Sequence, residues 1–222
     1  MWRDAALVAG RDLRIELRSR VTTNQVAPFS VLVLILFAFA LDPDRQLLER
    51  VASGLYWTAV LFAALLAISR SAAIDETDGV RDALRLSGLD PAGVFVGKAA
   101  AVAVVLFALE VLLGVGVVVL YGVEPAGAGL VVLASVAATV AVAATGTLYG
   151  ALVSGLRVRE TLLPLLLLPV LAPVLIGATR AFEAALAGVP ADGWPWCGLL
   201  AGLAVLYSVA GALAYGTLLE GS

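Results

Sequence analysis

The sequence predicts an all-α, polytopic membrane protein: six transmembrane helices preceded by an amphipathic helix that lies along the membrane surface. Three observations predict it. Hydrophobic residues make up 62% of the 222 residues and the mean hydropathy is +1.03, whereas a soluble domain averages about 45–50% apolar residues. Six apolar runs recur along the chain, each near the ~20 residues that a helix needs to cross the hydrocarbon. Charged residues, only 14% of the total, gather between those runs. The whole chain reads as one membrane domain.

Residues 1–21 come first. At 100° per residue Arg3, Arg11, Arg14 and Arg18 share one face of a helix, while Trp2, Ala6, Ala9, Leu13 and Leu17 gather on another. Such a helix lies in the interface plane, either as a topogenic anchor or as an elbow that also meets a partner. The first span, 26–41, is short unless residues 22–25 extend it. The AFA at 38–40 imitates a signal-peptidase site, but the region before it is too long and too structured for a signal peptide. The other spans are 51–69, 94–121, 126–154, 161–182 and 196–219. The third and fourth are long enough to tilt or bend.

Net charge, −3, says little about a membrane protein; the sidedness of the charge says more. Arg3, Arg11, Arg14, Arg18 and Arg20 precede the first span. Arg70, Arg81, Arg85 and Lys98 surround the segment between spans two and three, and Arg157 and Arg159 separate spans four and five. Only Arg45, Arg50 and Arg180 fall on the other side. The asymmetry predicts that both termini and the segment at 70–93 face the cytoplasm. Tyr56, Trp57, Tyr121, Trp194 and Trp196 are then expected near the outer interface as an aromatic belt.

Several chemistries are excluded. There is no histidine and one cysteine, Cys197, so the chain holds no internal disulfide and no histidine-ligated haem or zinc of its own. Cys197 reads as a small apolar residue. No set of hydrolytic groups is present. GVFVGKAA at 93–100 imitates a nucleotide-binding loop, but its spacing is one residue short and Ala99 stands where a Ser or Thr would bind magnesium.

The segment AAIDETDGVRDALRLSGLDP, residues 72–91, interrupts two apolar runs with Asp75, Glu76, Asp78, Arg81, Asp82, Arg85 and Asp90. Two spans need far less to connect them. Its centre reads as a short helix that Asp78 caps and a glycine ends, with Val80 and Leu84 on one side and Arg81 and Arg85 adjacent. Pro91 is expected to stop it before the third span. Two readings stand: a solvated loop that maintains topology, or a docking element for a soluble cytoplasmic partner. Arg81 and Arg85 either contact that partner at its rim or pair with Asp78 and Asp82 along the helix.

These residues resemble the haem exporter protein B (CcmB) family of the bacterial cytochrome c maturation system. The family's cytoplasmic aromatic-x-x-Asp-x-x-Asp-Gly pattern is matched at Asp75, Asp78 and Gly79; the aromatic position is Ala72, a departure. The likeness continues through RQLLERVASGLYWTAVLFAALLAISR (45–70), LSGLDPAGVFVGK (86–98) and LPVLAPVLIGATRA (168–181), and covers nearly the whole chain. It implies an ABC-2-like permease subunit of an ATP-binding-cassette complex in the bacterial inner membrane. The implied partners are a separate CcmA-like cytoplasmic ATPase that holds ATP and magnesium, CcmC-like and CcmD-like membrane subunits, and a CcmE-like haem chaperone. Haem is then handled by the complex, with no cofactor bound by this chain alone and any axial ligand supplied by a partner. Export of haem and ATP-driven release of the haem-loaded chaperone both fit. On this resemblance Asp75, Asp78, Gly79, Arg81, Leu84 and Arg85 form the coupling segment. Asp78 caps the helix or pairs with a basic surface, and Gly79 permits the turn or a close approach. The alternatives are an export permease for a lipid or drug, and a membrane scaffold that transports nothing. An ion-driven transporter fits less well, since the two halves show no repeat.

Within the spans, Glu110 falls near the middle of the third, where an ionisable group costs ~2.5–3.5 kcal/mol on insertion scales. It is a candidate for a local hydrogen bond or for a substrate or coupling role. Arg180 and Glu183 are expected to pair. Pro164, Pro169 and Pro173 each remove a backbone donor from the fifth span and predict a kinked helix. GTLYG (146–150) and GLLAG (198–202) place glycines four apart, a spacing for close helix crossing.

Overall fold

The computed structural model describes residues 1–20, 22–41, 45–75, 88–123, 127–154, 156 and 158–220. Those residues are helical almost throughout, with no strand among them. The helices are α1 (Trp2–Ser19), α2 (Ala27–Ala40), α3 (Arg45–Asp75), α4 (Pro91–Tyr121), α5 (Ala128–Val153), α6 (Arg159–Leu186) and α7 (Trp194–Glu220). A π-turn, Thr22–Val26, leads into α2 and a 3₁₀ turn, Pro190–Gly193, leads into α7.

Helices α3 to α7 are each long and apolar enough to cross a membrane. The expected first span is different. Its helix, α2, has 14 residues, about 21 Å at ~1.5 Å per residue, short of the ~30 Å of hydrocarbon. A sixth crossing of sufficient length arises only if α1 and residues 24–40 count as one span broken by a 53° bend. The physical reason lies at both ends of the apolar run: Pro28 starts the helix and the turn at Leu41 ends it. Elsewhere the helices outrun the expected spans, except α5, which lies within 126–154. α3 continues from 69 to Asp75, and α4 starts at Pro91 instead of 94. Pro91 opens the span helix, because its missing N–H is one of the donors a first turn leaves unpaired anyway. Asp90 caps it, accepting a hydrogen bond from the Ala92 N–H at 3.1 Å.

Helix α5 is the hub and packs against α3, α4, α6 and α7. Its sequence explains the position: Ala134, Ala138, Ala141, Ala143 and Gly146 line its buried faces, and small residues let backbones approach where no hydrophobic effect drives helices together. A Cβ on Gly146 would stand 2.3 Å from Ile68 Cδ1, and one on Gly211 of α7 would stand 2.0 Å from the Phe95 ring. GTLYG is therefore a close crossing with α3. GLLAG is not: a Cβ at Gly198 or Gly202 would meet nothing within 4 Å, and both residues face away from the bundle.

The expected aromatic belt is turned inward. Trp57, Tyr56 and Tyr121 are all buried, and Tyr56 stacks on Phe182 while Trp57 meets the same ring edge-on. Only Trp194 is exposed; Trp196 is half-buried. The Tyr121 hydroxyl donates to the Leu34 carbonyl at 3.0 Å, tying short α2 to the end of α4. These three rings face the bundle interior instead of lipid, and Tyr121 does so with its polar tip hydrogen-bonded.

Candidate functional site

Among the charged-segment residues, Asp75 ends α3, and Asp78, Gly79, Arg81, Leu84 and Arg85 lie outside the described residues. Its two flanks are described. Gly88 has φ +66°, the left-handed conformation that a helix-ending glycine supplies, and Asp90 and Pro91 open α4. The segment thus joins the ends of two long helices, and α1 is fastened beside them.

Docking of α1 onto α4 begins with two glycines. A Cβ on Gly93 would lie 2.8 Å from the Met1 carbonyl oxygen, and one on Gly97 would lie 2.6 Å from the Ala5 carbonyl oxygen and 2.8 Å from Val8 Cβ. Only glycine lets the two backbones come this close. Ala5 and Val8 are buried in that contact. Around it runs a line of charges. Lys98, only 2% exposed, reaches Asp12 with Nζ 3.4 Å from Oδ2, and Arg11 Nη2 lies 2.7 Å from the other Asp12 oxygen. Glu16 faces Arg70 of α3 at 3.8 Å and accepts hydrogen bonds from the Thr22 N–H and hydroxyl. At the other end the Met1 ammonium lies 3.1 Å from Asp4 and 3.7 Å from Asp90. The hydrogen bond from that ammonium, and a second from the Asp90 N–H, hold the Asp4 carboxyl below the usual aspartate value.

Helix α1 therefore has three faces, where the sequence pattern showed two. Ala5, Val8 and Asp12 meet the bundle; Trp2, at 75% exposure, and Leu17 stand away from it; Arg3, Arg14 and Arg18 form an exposed basic arc. The motif that imitates a nucleotide-binding loop is the floor of this contact. The signal was in the sequence as small residues four apart, Gly93 and Gly97, followed by a lysine.

Glu110 projects from α4 into the bundle and is 4% exposed. Its Oε1 lies 2.5 Å from Thr139 Oγ1 of α5, and that hydroxyl also lies 2.7 Å from the Ser135 carbonyl oxygen. The Tyr56 hydroxyl donates to the Glu110 backbone carbonyl at 3.2 Å. Among the described residues Oε2 has no hydrogen-bond partner. Glu110 lines a cavity of about 420 Å³ between α3, α4, α5 and α6, otherwise walled by residues such as Phe107, Val115, Val118, Val132 and Phe182. A second cavity, of about 770 Å³, shares Ser53, Val123 and Leu186 with it and is edged by Glu49, Arg50 and Glu183.

The remaining sequence-predicted residues fall where their chemistry permits. Arg180 Nη1 pairs with Glu183 Oε2 at 2.9 Å on the surface. Pro164, Pro169 and Pro173 sit inside a continuous α6. Pro169 and Pro173 lie on its exposed side, while Leu167, Leu171 and Val174 are buried on the other. The Tyr207 hydroxyl adds a hydrogen bond from α7 to the Val170 carbonyl between them. Cys197 is buried. No group of His, Cys, Asp or Glu among the described residues is arranged to hold a metal ion.

The family model described as CcmB protein matches residues 4–221. "Heme exporter protein B" of Haemophilus influenzae is 32% identical over 82% of this chain and 83% of its own length. The protein of the same name from Escherichia coli K12 is 33% identical over 91% and 93%, and that from Rhodobacter capsulatus is 34% identical over 75% and 76%. With a match along nearly its full length and an all-helical membrane fold, the chain belongs to the CcmB protein family.

Proposed function

We propose that this chain is the membrane permease subunit of an ATP-binding-cassette assembly that handles haem in cytochrome c maturation. The observation that carries the reading is the match to a family whose curated members are named heme exporters, over residues 4–221. The chain itself does no chemistry on ATP: a separate CcmA-like cytoplasmic ATPase hydrolyses it with magnesium. The segment at 76–87, with Asp75 at its edge, receives the resulting motion. CcmC-like and CcmD-like subunits and a CcmE-like chaperone take the haem. Because the chain has no histidine, an axial ligand for haem iron comes from one of those partners.

The docking of α1 supports this division of labour. An element that transmits force needs rigid attachment, and the charged segment leaves α3 and enters α4 beside a helix pinned to both. The arginine asymmetry supports an orientation with this end of the bundle and both termini on the cytoplasmic side of the inner membrane. An ABC-2-like architecture is part of the same proposal.

The test is purification of the tagged chain from its own host in mild detergent, with co-purifying proteins identified and the absorbance spectrum recorded. The expected result is an ATPase and a haem-bearing membrane protein with the natural sequence, and loss of the ATPase from Asp78→Ala/Gly79→Val. An ATPase without haem moves the assignment to export of a lipid or drug. ATP-dependent turnover that survives the double substitution makes the segment a topogenic loop and the chain a scaffold.

A further inference from the structure

We infer that the side of α1 turned away from the bundle is a binding surface for anionic phospholipid headgroups. Arg3, Arg14 and Arg18 hold the phosphates, and Trp2, Leu13 and Leu17 meet the upper acyl chains. The inference concerns this chain alone and does not rest on the ATPase or haem assignment.

The charges of α1 are sorted by side. All three of its acids are engaged in the docked contact. Asp4 meets the Met1 ammonium and the Asp90 N–H, Asp12 lies against Lys98 and Arg11, and Glu16 faces Arg70 and accepts from Thr22. Arg3, Arg14 and Arg18 are exposed, and none of them forms an ion pair among the described residues. At 100° per residue the three fall within an arc of about 60°. Arg14 Nε donates to the Gly10 carbonyl at 2.9 Å, which fixes the side chain at its base and leaves both Nη groups to a ligand. Like charges at i and i+4 destabilise a helix, so Arg14 and Arg18 favour an anion across from them.

The apolar arc beside them selects the kind of anion. Trp2 and Leu17 are 75% and 76% exposed, and Ala6 and half-buried Leu13 continue the same stripe. An acidic protein surface would satisfy the arginines and leave this stripe in water. A lipid leaflet satisfies both, with the apolar side at the acyl boundary and the long basic side chains reaching the headgroups. The height of α1 agrees. Helix α4 has 31 residues, about 46 Å at ~1.5 Å per residue, against ~30 Å of hydrocarbon, so its ends stand in the headgroup layers. Helix α1 docks on the first turns of α4, at Gly93 and Gly97, and meets α3 at Arg70, near the end of that helix at Asp75. Guanidinium groups bind phosphate through paired N–H donors. A zwitterionic headgroup offers the same phosphate but brings an ammonium with it, so the three arginines favour the anionic lipid.

The probes are phosphatidylglycerol and phosphatidylcholine carrying the same diazirine on one acyl chain. Each is added in trace amount to nanodiscs of unlabelled phosphatidylcholine that hold the full chain. After photolysis the labelled residues are mapped by peptide mass spectrometry, with the exposed Val205, Leu206, Val209 and Leu213 of α7 as the reference. Relative to that reference, phosphatidylglycerol is expected to label α1 about fivefold more than phosphatidylcholine at low salt, the factor that one arginine at an anionic surface supplies. The preference should vanish in about 1 M sodium chloride, where the screening length is ~3 Å. Arg3→Gln/Arg14→Gln/Arg18→Gln should remove the preference and keep the labelling by phosphatidylcholine, whereas the matching triple change to lysine, which keeps the charge, should retain it. Equal labelling of α1 by the two lipids overturns the inference, as does a preference that survives high salt or the glutamine changes. The salt series needs no variant and decides the case in which the glutamine chain does not fold. Absence of α1 labelling by either lipid also overturns the inference and gives the arginines to an acidic protein surface.

Discussion

Asp12→Ala should release the N-terminal helix. The substitution leaves Lys98, 2% exposed, without the carboxylate 3.4 Å from its ammonium. At an effective dielectric of ~20 the attraction across that distance is about 5 kcal/mol before desolvation. Breaking one partner of a buried pair costs about 3–5 kcal/mol net. Because the Asp12 side chain is 11% exposed, water reaches one end of the pair and the lower figure applies. A loss of about 3 kcal/mol raises the open fraction of α1 ~150-fold. Trypsin reads this directly, since Arg14 and Arg18 lie on the docked helix and cleavage follows the open population when closing is fast. Cleavage at those two sites should therefore accelerate by about two orders of magnitude while the helical content of the bundle holds. Asp12→Leu with Lys98→Met, which removes both charges, should return the rate to within about tenfold of the natural chain. An acceleration below about fivefold for Asp12→Ala, or a double variant as open as the single one, refutes the reasoning.

Gly97→Leu should open α1 at least as far in the same trypsin assay, because its Cβ starts 2.6 Å from a backbone oxygen that cannot yield. Gly202→Leu, with nothing within 4 Å, should leave both the trypsin rate and the melting temperature in detergent unchanged. Tyr121→Phe removes the hydrogen bond to the Leu34 carbonyl and should lower stability by about 1 kcal/mol, read as a lower melting temperature. Asp4 sets an acid limit on docking. Its folded value is depressed, so its contribution is fully present above the ordinary aspartate value of about 3.9 and is lost as pH falls through the lowered one. Hydrogen exchange of the first turn of α1, corrected for intrinsic rates, should stay flat from pH 7 to 5 and rise only at more acid pH.

The long spans were legible because length and apolarity are what a bilayer demands of a helix, and α3 to α7 satisfy both without reference to neighbours. The pieces that sequence reading missed depend on neighbours. Hydrophobic periodicity located the Trp2–Leu13–Leu17 arc of α1 but not its docking face, because Ala5 and Val8 are small and the partner surface is two glycines on a helix 90 residues later. The same two glycines were visible as a failed phosphate-binding loop, for want of the helix that fills them. Tyr56, Trp57 and Tyr121 were placed at the interface by residue type, yet stacking with Phe182 and a hydrogen bond to Leu34 turn them inward. Glu110 was legible as an anomaly. Its partner Thr139, 29 residues away on α5, was not, since a threonine in an apolar helix carries no mark of what it faces.

These observations converge on α4. Its first turn, capped by Asp90, receives the charged segment; Gly93, Gly97 and Lys98 hold α1; Glu110 reaches Thr139 and the cavity; Tyr121 anchors α2. All four sit on one continuous 31-residue helix, whose backbone hydrogen bonds make it stiff along its length. Displacement of its first turn cannot be absorbed there without disturbing the α1 contact, where the backbones are so close that a Cβ on Gly93 or Gly97 would lie 2.8 or 2.6 Å from an α1 carbonyl oxygen. On the proposed coupling role, a push delivered at the first turn of α4 moves α1 and α4 together as one lever, and α4 carries it to the wall of the Glu110 cavity. The glycine contact is what makes that lever rigid: a larger residue at 93 or 97 would separate the two helices and let the first turn move alone. The N-terminal helix is on this argument a brace for α4, and its charges serve to hold the brace in place as much as to orient the chain in the membrane.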